Sequence, residues 1–315
     1  MKHNLKITVI LLAMFIITQF IGLYVVDHYS KTKVINGEIQ NVSAPELPLG
    51  LQTPEIQKES DYRDFFYAII FAFIVAICLL FLLTRFNAAF ILKLWFFVVV
   101  IIALTITFNA FIPQFNYSIF LVLVLAIPLA YFKIYQRNFL IHNFTELFIY
   151  PGIAAVFVPI LNLFWIIVLL ILISIYDMWA VWHSGIMQKM AKYQINKLNI
   201  FSGFFVPYLS KKARMKLKKM KPSQLRKTKV RASVAILGGG DVIFPIIAAG
   251  VMLKTKGFTT IRIFQIPIAS LLVMLGATIG LAYLFFFAEK KKFYPAMPFI
   301  SIGIFLGMIL SYLLV

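Results

Sequence analysis

Repeated apolar runs of membrane-spanning length limit what this chain can fold into more than any other feature. An α-helix needs about 20 predominantly apolar residues to cross the hydrocarbon core of a bilayer. Nine such runs lie along the chain, at residues 7–26, 65–84, 91–112, 118–134, 146–160, 161–186, 232–253, 263–287 and 296–314. Since 62% of all residues are hydrophobic and 13% are charged, we predict an all-α polytopic membrane protein with about nine transmembrane helices.

The runs divide the chain into two predicted regions. Residues 1–145 hold the first four spans and form an N-terminal transmembrane scaffold, and residues 146–315 hold the last five spans and form a catalytic region. The scaffold includes a polar outer loop at 27–64, whose seven acids and three prolines indicate an exposed, irregular segment. The second region includes a strongly basic loop at 187–231.

Basic residues are distributed very unequally between the two sides of the predicted membrane. The side that carries the N-terminus has 23 of the 30 Lys and Arg residues, and the other side has seven. The positive-inside rule therefore predicts a multi-pass protein of the cell membrane with a cytoplasmic N-terminus and an extracellular C-terminus. The same asymmetry favours contact with anionic lipid at the inner face, so we expect no nucleic-acid partner despite the net charge of +19.

Two acids, Asp177 and Asp241, fall well inside the apolar runs, whereas Glu146 and Glu289 are predicted at span edges. Each of the two inner acids lies ten to twelve residues from the nearest basic residue of the 187–231 loop. If both segments are helical throughout, both carboxylates lie about 15–18 Å from the inner boundary. A charge at bilayer depth is costly and indicates function, so we predict that the two carboxylates face each other.

The residues before Asp241 strengthen that prediction. Gly238, Gly239 and Gly240 are poor helix formers inside an otherwise apolar run, and they leave room for a backbone to approach closely. Two close carboxylates share one proton, so the ionised one can accept a proton from water while the other protonates a carbonyl oxygen. His183 lies near Asp177, but the other histidines are scattered, and we expect neither a metal site nor a cofactor.

Three short motifs resemble those of presenilin and signal peptide peptidase, the GxGD intramembrane aspartyl proteases. Tyr176-Asp177 in the sixth span resembles the YD motif, and Gly238–Asp241 in the seventh resembles GxGD. Pro295-Ala296-Met297, at the start of the ninth span, resembles Pro-Ala-Leu with Met in place of Leu. The compact size is similar to that of prokaryotic, in particular archaeal, presenilin homologues.

The resemblance implies an aspartic endopeptidase that cuts transmembrane-helix substrates, with Asp177 and Asp241 as its catalytic residues. It also implies active-site roles for the other motif residues, which are Tyr176, Gly238, Gly239, Gly240, Pro295, Ala296 and Met297. Tyr176 either forms a hydrogen bond near the two acids or only packs. Because presenilin has the same predicted orientation, the resemblance implies substrates whose N-terminus lies outside and whose C-terminus lies inside.

The segment Ile200–Leu209 allows two interpretations. It is either an interfacial stretch that continues into a polybasic lipid-binding segment, or a gate or docking strand beside the active site. In the resembled family this loop contributes an extended edge that can pair with an unwound substrate.

Several alternatives to the protease remain open at the level of the sequence. A proton-coupled transporter or channel also places acids and broken helices in the membrane, but no internal repeat is visible. A catalytically silent relative would keep the motifs. A prepilin peptidase usually has a basic residue after GxGD, whereas Val242 follows here. The spacings Gly276-x-x-x-Gly280 and Gly303-x-x-x-Gly307 indicate close helix packing or a dimer contact, and a homo-oligomer is compatible with either.

Overall fold

Nine helices make up most of the part of the chain that the structure, a computed structural model, describes. The described residues are 5–30, 32–35, 38–41, 45–54, 56–86, 88–113, 115–136, 138–184, 201–208, 233–255, 262–263, 266–288 and 294–314. The helices are α1 (Leu5–His28), α2 (Glu59–Arg85), α3 (Ala89–Phe111), α4 (Ser118–Tyr135), α5 (Phe139–Phe157), α6 (Leu163–Trp179), α7 (Gly239–Lys254), α8 (Ile268–Phe287) and α9 (Met297–Leu314).

The prediction of a multi-pass membrane protein is confirmed. Eight of these helices are long and apolar enough to cross a bilayer. The ninth, α7, has 16 residues, so it is about 24 Å long, somewhat shorter than the roughly 30 Å hydrocarbon core. A strand at 233–238 leads directly into α7, and this strand bears on the site described below.

The short helix α7 lies at the centre of the bundle. Its residues from Pro245 to Leu253 are all buried, and a helix that is apolar all round belongs in a core rather than on a surface. Side chains of α1, α5, α6, α8 and α9 share one hydrophobic cluster with it. In contrast, α2 is peripheral: Phe66 stacks on Trp165 with ring centroids 4.5 Å apart, while most of its other side chains are exposed.

The small-residue spacings of α8 and α9 serve packing within one chain. A Cβ atom on Gly276 would lie 2.0 Å from the carbonyl oxygen of Gly303, and one on Gly307 would lie 2.5 Å from that of Leu272. The two backbones therefore touch where any larger residue would separate them. These glycines contact the neighbouring helix of the same chain and give no support to a dimer contact, so a homo-oligomer remains a prediction.

Three antiparallel two-stranded sheets accompany the helices. They pair β1 (Thr32–Ile35) with β2 (Glu38–Asn41), β3 (Gly203–Tyr208) with β4 (Ser233–Gly238), and β5 (Arg262–Ile263) with β6 (Ile266–Pro267). The prediction that 27–64 is irregular is therefore wrong in part, since it contains the β1–β2 hairpin and its last residues belong to α2. Tyr29, just after α1, anchors the start of this segment by donating to the carbonyl oxygen of Ile106 at 2.9 Å.

Three predicted span boundaries are wrong. The eighth span was predicted from 263, but Arg262–Ile263 and Ile266–Pro267 are strands and the helix begins at Ile268. The seventh run was predicted to be helical from 232, but 233–238 is strand β4 and the helix begins at Gly239. The fifth span begins at Phe139, where Asn138 caps the helix by accepting from Leu140 N–H at 2.9 Å, and not at 146. The predicted boundary between the two regions therefore falls inside α5. The polybasic part of the 187–231 loop and Glu289 lie outside the described residues.

Candidate active site

Asp177 lies in the last turn of α6 and faces the start of α9. Its side chain is 8% exposed, and its Oδ2 accepts a hydrogen bond from the backbone N–H of Met297 at 3.0 Å. The N–H of Ala296 donates to the same carboxylate. The first amides of a helix have no partner within it and favour negative charge, so the N-terminus of α9 is a suitable place for this acid.

The segment Pro295-Ala296-Met297 therefore contacts Asp177 through its backbone. Pro295 and Met297 are buried, and the carboxylate accepts from the backbone N–H groups of Ala296 and Met297. This explains why Met can replace Leu at that position without loss of the contact. One turn away, the hydroxyl of Ser174 bonds to that of Ser301 at 2.9 Å, which joins α6 to α9 a second time.

Asp241 is the third residue of α7, at the point where strand β4 becomes a helix. Gly238 is the N-cap residue and has an extended backbone (φ −64°, ψ 149°). Its N–H donates to the Asp241 carboxylate, the arrangement by which an acid at the third helical position closes a helix N-terminus. The cap holds the side chain of Asp241 close to the strand, and Asp241 Oδ2 would lie only 3.1 Å from a Cβ atom on Gly238.

The charges of Asp177 and Asp241 lie close enough to interact. This is the juxtaposition that was predicted from their matched depth. The depth argument itself was partly wrong, however, because it assumed a continuous helix and 233–238 is extended. The two acids meet because α6 ends and α7 begins in the same region of the core, next to the start of α9.

The glycines before Asp241 have different surroundings. A Cβ on Gly239 would lie 2.6 Å from Ser202 Oγ and 2.8 Å from Tyr150 Oη, whereas one on Gly240 would meet only the Phe244 ring, at 3.7 Å. Gly239 is buried and Gly240 is exposed. Gly239 therefore permits tight packing against α5, and Gly240 borders open space beside the carboxylate.

Tyr176 points away from the two acids. Its ring makes an edge contact with Phe73 of α2 at 6.0 Å and lies 6.3 Å from Trp179, and it is 42% exposed. Of the two roles considered for this side chain, the structure favours packing against the peripheral helix α2.

Within the described residues, the edge of β4 that leads to Asp241 pairs with no strand other than β3. In an antiparallel pair the backbone groups of successive residues point alternately toward and away from the partner strand. Side chains of α5 bond to the backbone of Gly203 and Phe205, so these residues point away from β4. Their partners in register are Gly238 and Ile236, whose backbone groups must therefore point to the outer edge of β4. Pro207 fits this direction, because it has no N–H to offer on the α5 side.

A buried polar cluster on α4 and α5 was missed by the sequence analysis. Lys133 and Glu146 form an ion pair in which both side chains are almost completely buried, and His142 joins them. Glu146 had been placed at a span edge because the fifth span was begun seven residues too late. The i, i+4 spacing of His142 and Glu146, which puts both on one helix face, is the signal that could have revealed the cluster.

The described residues contain no group of three His, Cys, Asp or Glu side chains that could hold a metal ion. His183 lies in a π-helical turn after α6, at Ala180–Ser184, and is exposed. The polar groups at the start of α7 and α9 are suited to proton transfer and to hydrogen bonding of a peptide.

Comparisons with known proteins identify the family and the fold. The sequence model described as signal-peptide peptidase, presenilin aspartyl protease matches residues 39–315. Two solved structures of a presenilin family intramembrane aspartate protease, in space groups C222 and P2, are similar in fold. The first has a TM-score of 0.61 and 17% identity and covers 98% of this chain and 99% of its own. The second has a TM-score of 0.57 and 17% identity and covers 97% of each. The curated protein sequences give no match.

Proposed function

Because this chain belongs to the signal-peptide peptidase and presenilin family of aspartyl proteases, we propose that it is an intramembrane endopeptidase that hydrolyses peptide bonds of transmembrane-helix substrates. The observation that carries the proposal is that Asp177 and Asp241 lie close enough for their charges to interact, the first bound by the amides of Ala296 and Met297 and the second by that of Gly238. Such a pair supplies an acid and a base within reach of one peptide bond.

The proposed mechanism uses one shared proton. The ionised member of the pair accepts a proton from water, which attacks the carbonyl carbon of the substrate, while the protonated member donates to the carbonyl oxygen. The acid that took the proton from water then gives it to the amide nitrogen as the C–N bond breaks, and the other acid recovers its proton as the new carboxyl group forms. The amides of Ala296, Met297 and Gly238 hold the carboxylates in place, so the pair is organised before the substrate arrives. No metal or cofactor is required by this chemistry.

The outer edge of β4 supports a mode of substrate binding. An intact transmembrane helix hides its amides in internal hydrogen bonds, so a scissile bond must first be unwound. The unwound segment then needs partners for its backbone, and β4 can supply them, since no further strand in the described ranges pairs with its outer edge. We infer that the substrate adds to β4 as a further strand and that this places its next peptide bonds beside Asp241 and the exposed Gly240.

Cleavage of a labelled transmembrane peptide by the purified protein in lipid tests the proposal, with the products identified by mass spectrometry. Wild-type protein should cut within the apolar segment. Asp177→Ala and Asp241→Ala should each reduce turnover to background, and Asp177→Asn and Asp241→Asn should be equally inactive, because a neutral amide cannot share the proton. Near wild-type turnover by any of the four would refute the catalytic assignment.

Folding of the variants can be checked independently of activity. Each side chain accepts amide hydrogen bonds that Asn can still accept in part, so the Asn variants should keep the thermal unfolding midpoint of the wild type within a few degrees. If the wild type cuts no peptide but the two acids control proton uptake into vesicles, the transporter alternative is favoured. A protein with neither activity is a silent relative.

A further inference from the structure

Side chains from one face of α5 bond to the backbone of strand β3 along the edge opposite β4. Asn143 makes two bonds to Phe205: its Nδ2 donates to the carbonyl oxygen at 2.8 Å, and its Oδ1 accepts from the N–H at 3.1 Å. Glu146 Oε1 accepts from the N–H of Gly203 at 3.3 Å, and His142 Nε2 bonds to the Gly203 carbonyl oxygen at 2.9 Å. We call His142, Asn143 and Glu146 the α5 edge cap.

The edge cap takes the place of a neighbouring strand. Gly203 and Phe205 are the residues whose N–H and C=O groups point away from β4, and all four of these groups have a partner on α5. A sheet edge that faces lipid is not tolerated, because no water satisfies its polar groups, whereas an edge that lines a water-filled cavity can stay open until a strand adds to it. The cap therefore closes one edge of the hairpin and leaves the β4 edge as its only place for another strand within the described chain.

The cap is itself held in a fixed state by Lys133. The Lys133 ammonium donates to Glu146 Oε1 and lies 3.3 Å from His142 Nδ1. Since an ammonium group has only donors, Nδ1 accepts and Nε2 carries the proton that His142 donates to Gly203. The ion pair thus fixes both the tautomer of His142 and the direction of Glu146, and both side chains of the pair are almost completely buried.

Helix packing alone does not account for such a cluster. A buried ion pair contributes little net stability, and apolar side chains of the same volume hold two helices together at least as well. What apolar side chains cannot do is bind the backbone of β3. Gly203 is also special: its φ is +134°, and a Cβ there would lie 2.3 Å from the carbonyl oxygen of Leu237. The backbone of β3 is thus fixed on both sides at this residue.

We propose that the Lys133-supported α5 edge cap is a positioning device for proteolysis. It prevents an extended peptide from adding to β3, and it fixes the position of β3 relative to Asp241. Because Gly203 is in register with Gly238, it also fixes the position of β4. The peptide bond that meets the two acids is therefore selected by residues of α4 and α5 that do not touch it. The inference rests on the proposed protease function and on strand addition to β4.

Charge-matched double variants isolate the contact to Gly203. Lys133→Met with Glu146→Gln removes both charges but keeps an acceptor oxygen for Gly203, and Lys133→Met with Glu146→Leu removes the charges and the acceptor. Asn143→Leu removes both bonds to Phe205. Thr145→Val is the control from the same turn, because the Thr145 hydroxyl donates only to the carbonyl oxygen of His142 in its own helix.

Three readouts are compared for each variant: binding of a transmembrane peptide that carries a photo-crosslinking residue, the mapped crosslinks, and the spectrum of cleavage products. The Leu-containing double variant and Asn143→Leu should weaken binding about tenfold, add cut sites one or two residues from the main site, and produce crosslinks at β3 as well as β4. The Gln-containing double variant keeps the acceptor for Gly203 but loses the support of Lys133, so its effects should be smaller than those of the Leu-containing double variant. Thr145→Val should stay within about twofold of wild type with a single main cut.

Two results would overturn the inference. The first is that the cap variants lower only the unfolding midpoint while binding, crosslinks and cut sites remain those of wild type, which is the behaviour of a purely structural cluster. The second is that wild-type protein binds no peptide along β4. If wild type binds the peptide but does not cut it, the protease proposal fails, and the edge cap is still decided by the crosslinks at β3 and β4.

Discussion

Gly239 and Gly240 are adjacent, but different physical constraints act on them. At Gly239 the side chain of an alanine would have to displace the hydroxyls of Ser202 and Tyr150, and Tyr150 is 2% exposed and cannot move far. At Gly240 the same methyl group would make only an ordinary contact with the Phe244 ring, at 3.7 Å, and the position is exposed. An added methyl group should therefore disturb packing at Gly239 and substrate binding at Gly240.

We expect Gly239→Ala to destabilise the protein by about 1–3 kcal/mol, the usual cost of overpacking, and to lose activity together with fold. Gly240→Ala should be as stable as wild type or up to about 1 kcal/mol more stable, because alanine is the better helix former, yet it should cut peptide more slowly. Thermal unfolding and cleavage rates measured on the same samples separate the two effects. An unstable Gly240→Ala would contradict this reading of the site.

Asp177 and Asp241, the proposed catalytic acids, could be identified as candidates from the sequence because each lies in a short motif within a long apolar run. The bond from Met297 N–H to Asp177 could not be predicted, since it depends on the place where α9 begins relative to α6. Glu146 was misplaced for another reason. A hydropathy window begins a predicted span after the last charged residue. A charged residue that is buried in an ion pair is therefore assigned to the edge of the span, and its partner Lys133 is assigned to the boundary of the preceding span.

At the scale of elements, the strand β4 shows the limit of hydropathy. Its sequence, Ser233 to Gly238, is as apolar as the helix that follows, and a short apolar run does not distinguish a buried strand from a buried helix. The exposure of its side chains alternates: Val234 and Ile236 are about half exposed, and Ala235 and Leu237 are buried. That period of two becomes informative only when β3, 25 or more residues earlier in the chain, is known to pair with it.

Proline substitution can distinguish the two edges of β4. The N–H of Ile236 points outward, so Ile236→Pro should leave the β3–β4 hydrogen bonds intact while preventing strand addition at that residue. Ala235→Pro should instead remove a ladder bond to β3, at a cost of about 1 kcal/mol or more. Ile236→Ala controls for the lost side chain.

The expected pattern is that Ile236→Pro keeps the unfolding midpoint of Ile236→Ala but loses peptide binding at least tenfold. Binding is measured by fluorescence anisotropy of a labelled transmembrane peptide. If Ile236→Pro binds and cuts as well as Ile236→Ala, the substrate does not pair with the outer edge of β4.

At the scale of the whole molecule, the orientation in the membrane follows from charge alone, because a helical bundle of this kind packs in the same way whichever side faces the cytoplasm. The 23-to-7 division of Lys and Arg predicts that 187–231 is cytoplasmic and that 27–64 and the C-terminus are extracellular. Cys78 is first replaced, and single cysteines are then introduced. A cysteine at Lys218 should react with an impermeant reagent from the inside, and cysteines at Gln52 and Tyr312 should react from the outside. Outside labelling at Lys218 would invert the topology.

The direction of the substrate follows from that orientation together with the β4 edge. Whether a strand adds parallel or antiparallel to β4, its direction along β4 is fixed. Because Asp241 lies at only one end of β4, a peptide that binds in one direction should be cleaved and a peptide that binds in the other should not. With the N-terminus of the enzyme inside, we predict faster cleavage of single-span substrates whose N-terminus is outside and whose C-terminus is inside. Residues that weaken the substrate helix near the cut should raise the rate, because fewer internal hydrogen bonds must break before the segment becomes extended.

Reconstitution of the enzyme with one apolar segment inserted in both orientations measures this preference. The segment is identical in the two substrates, so a difference in rate reports direction and not composition, and the Asp241→Ala variant gives the background for each. We expect the substrate with an outside N-terminus to be cut at least tenfold faster. Its cut should lie in its cytoplasmic half, because β4, which precedes α7, is predicted on that side. Equal rates would mean that the edge of β4 does not select direction, and faster cutting of the reversed substrate would mean that the enzyme lies the other way in the membrane. The cysteine labels distinguish these two outcomes, since only the second requires the 187–231 loop to react from outside.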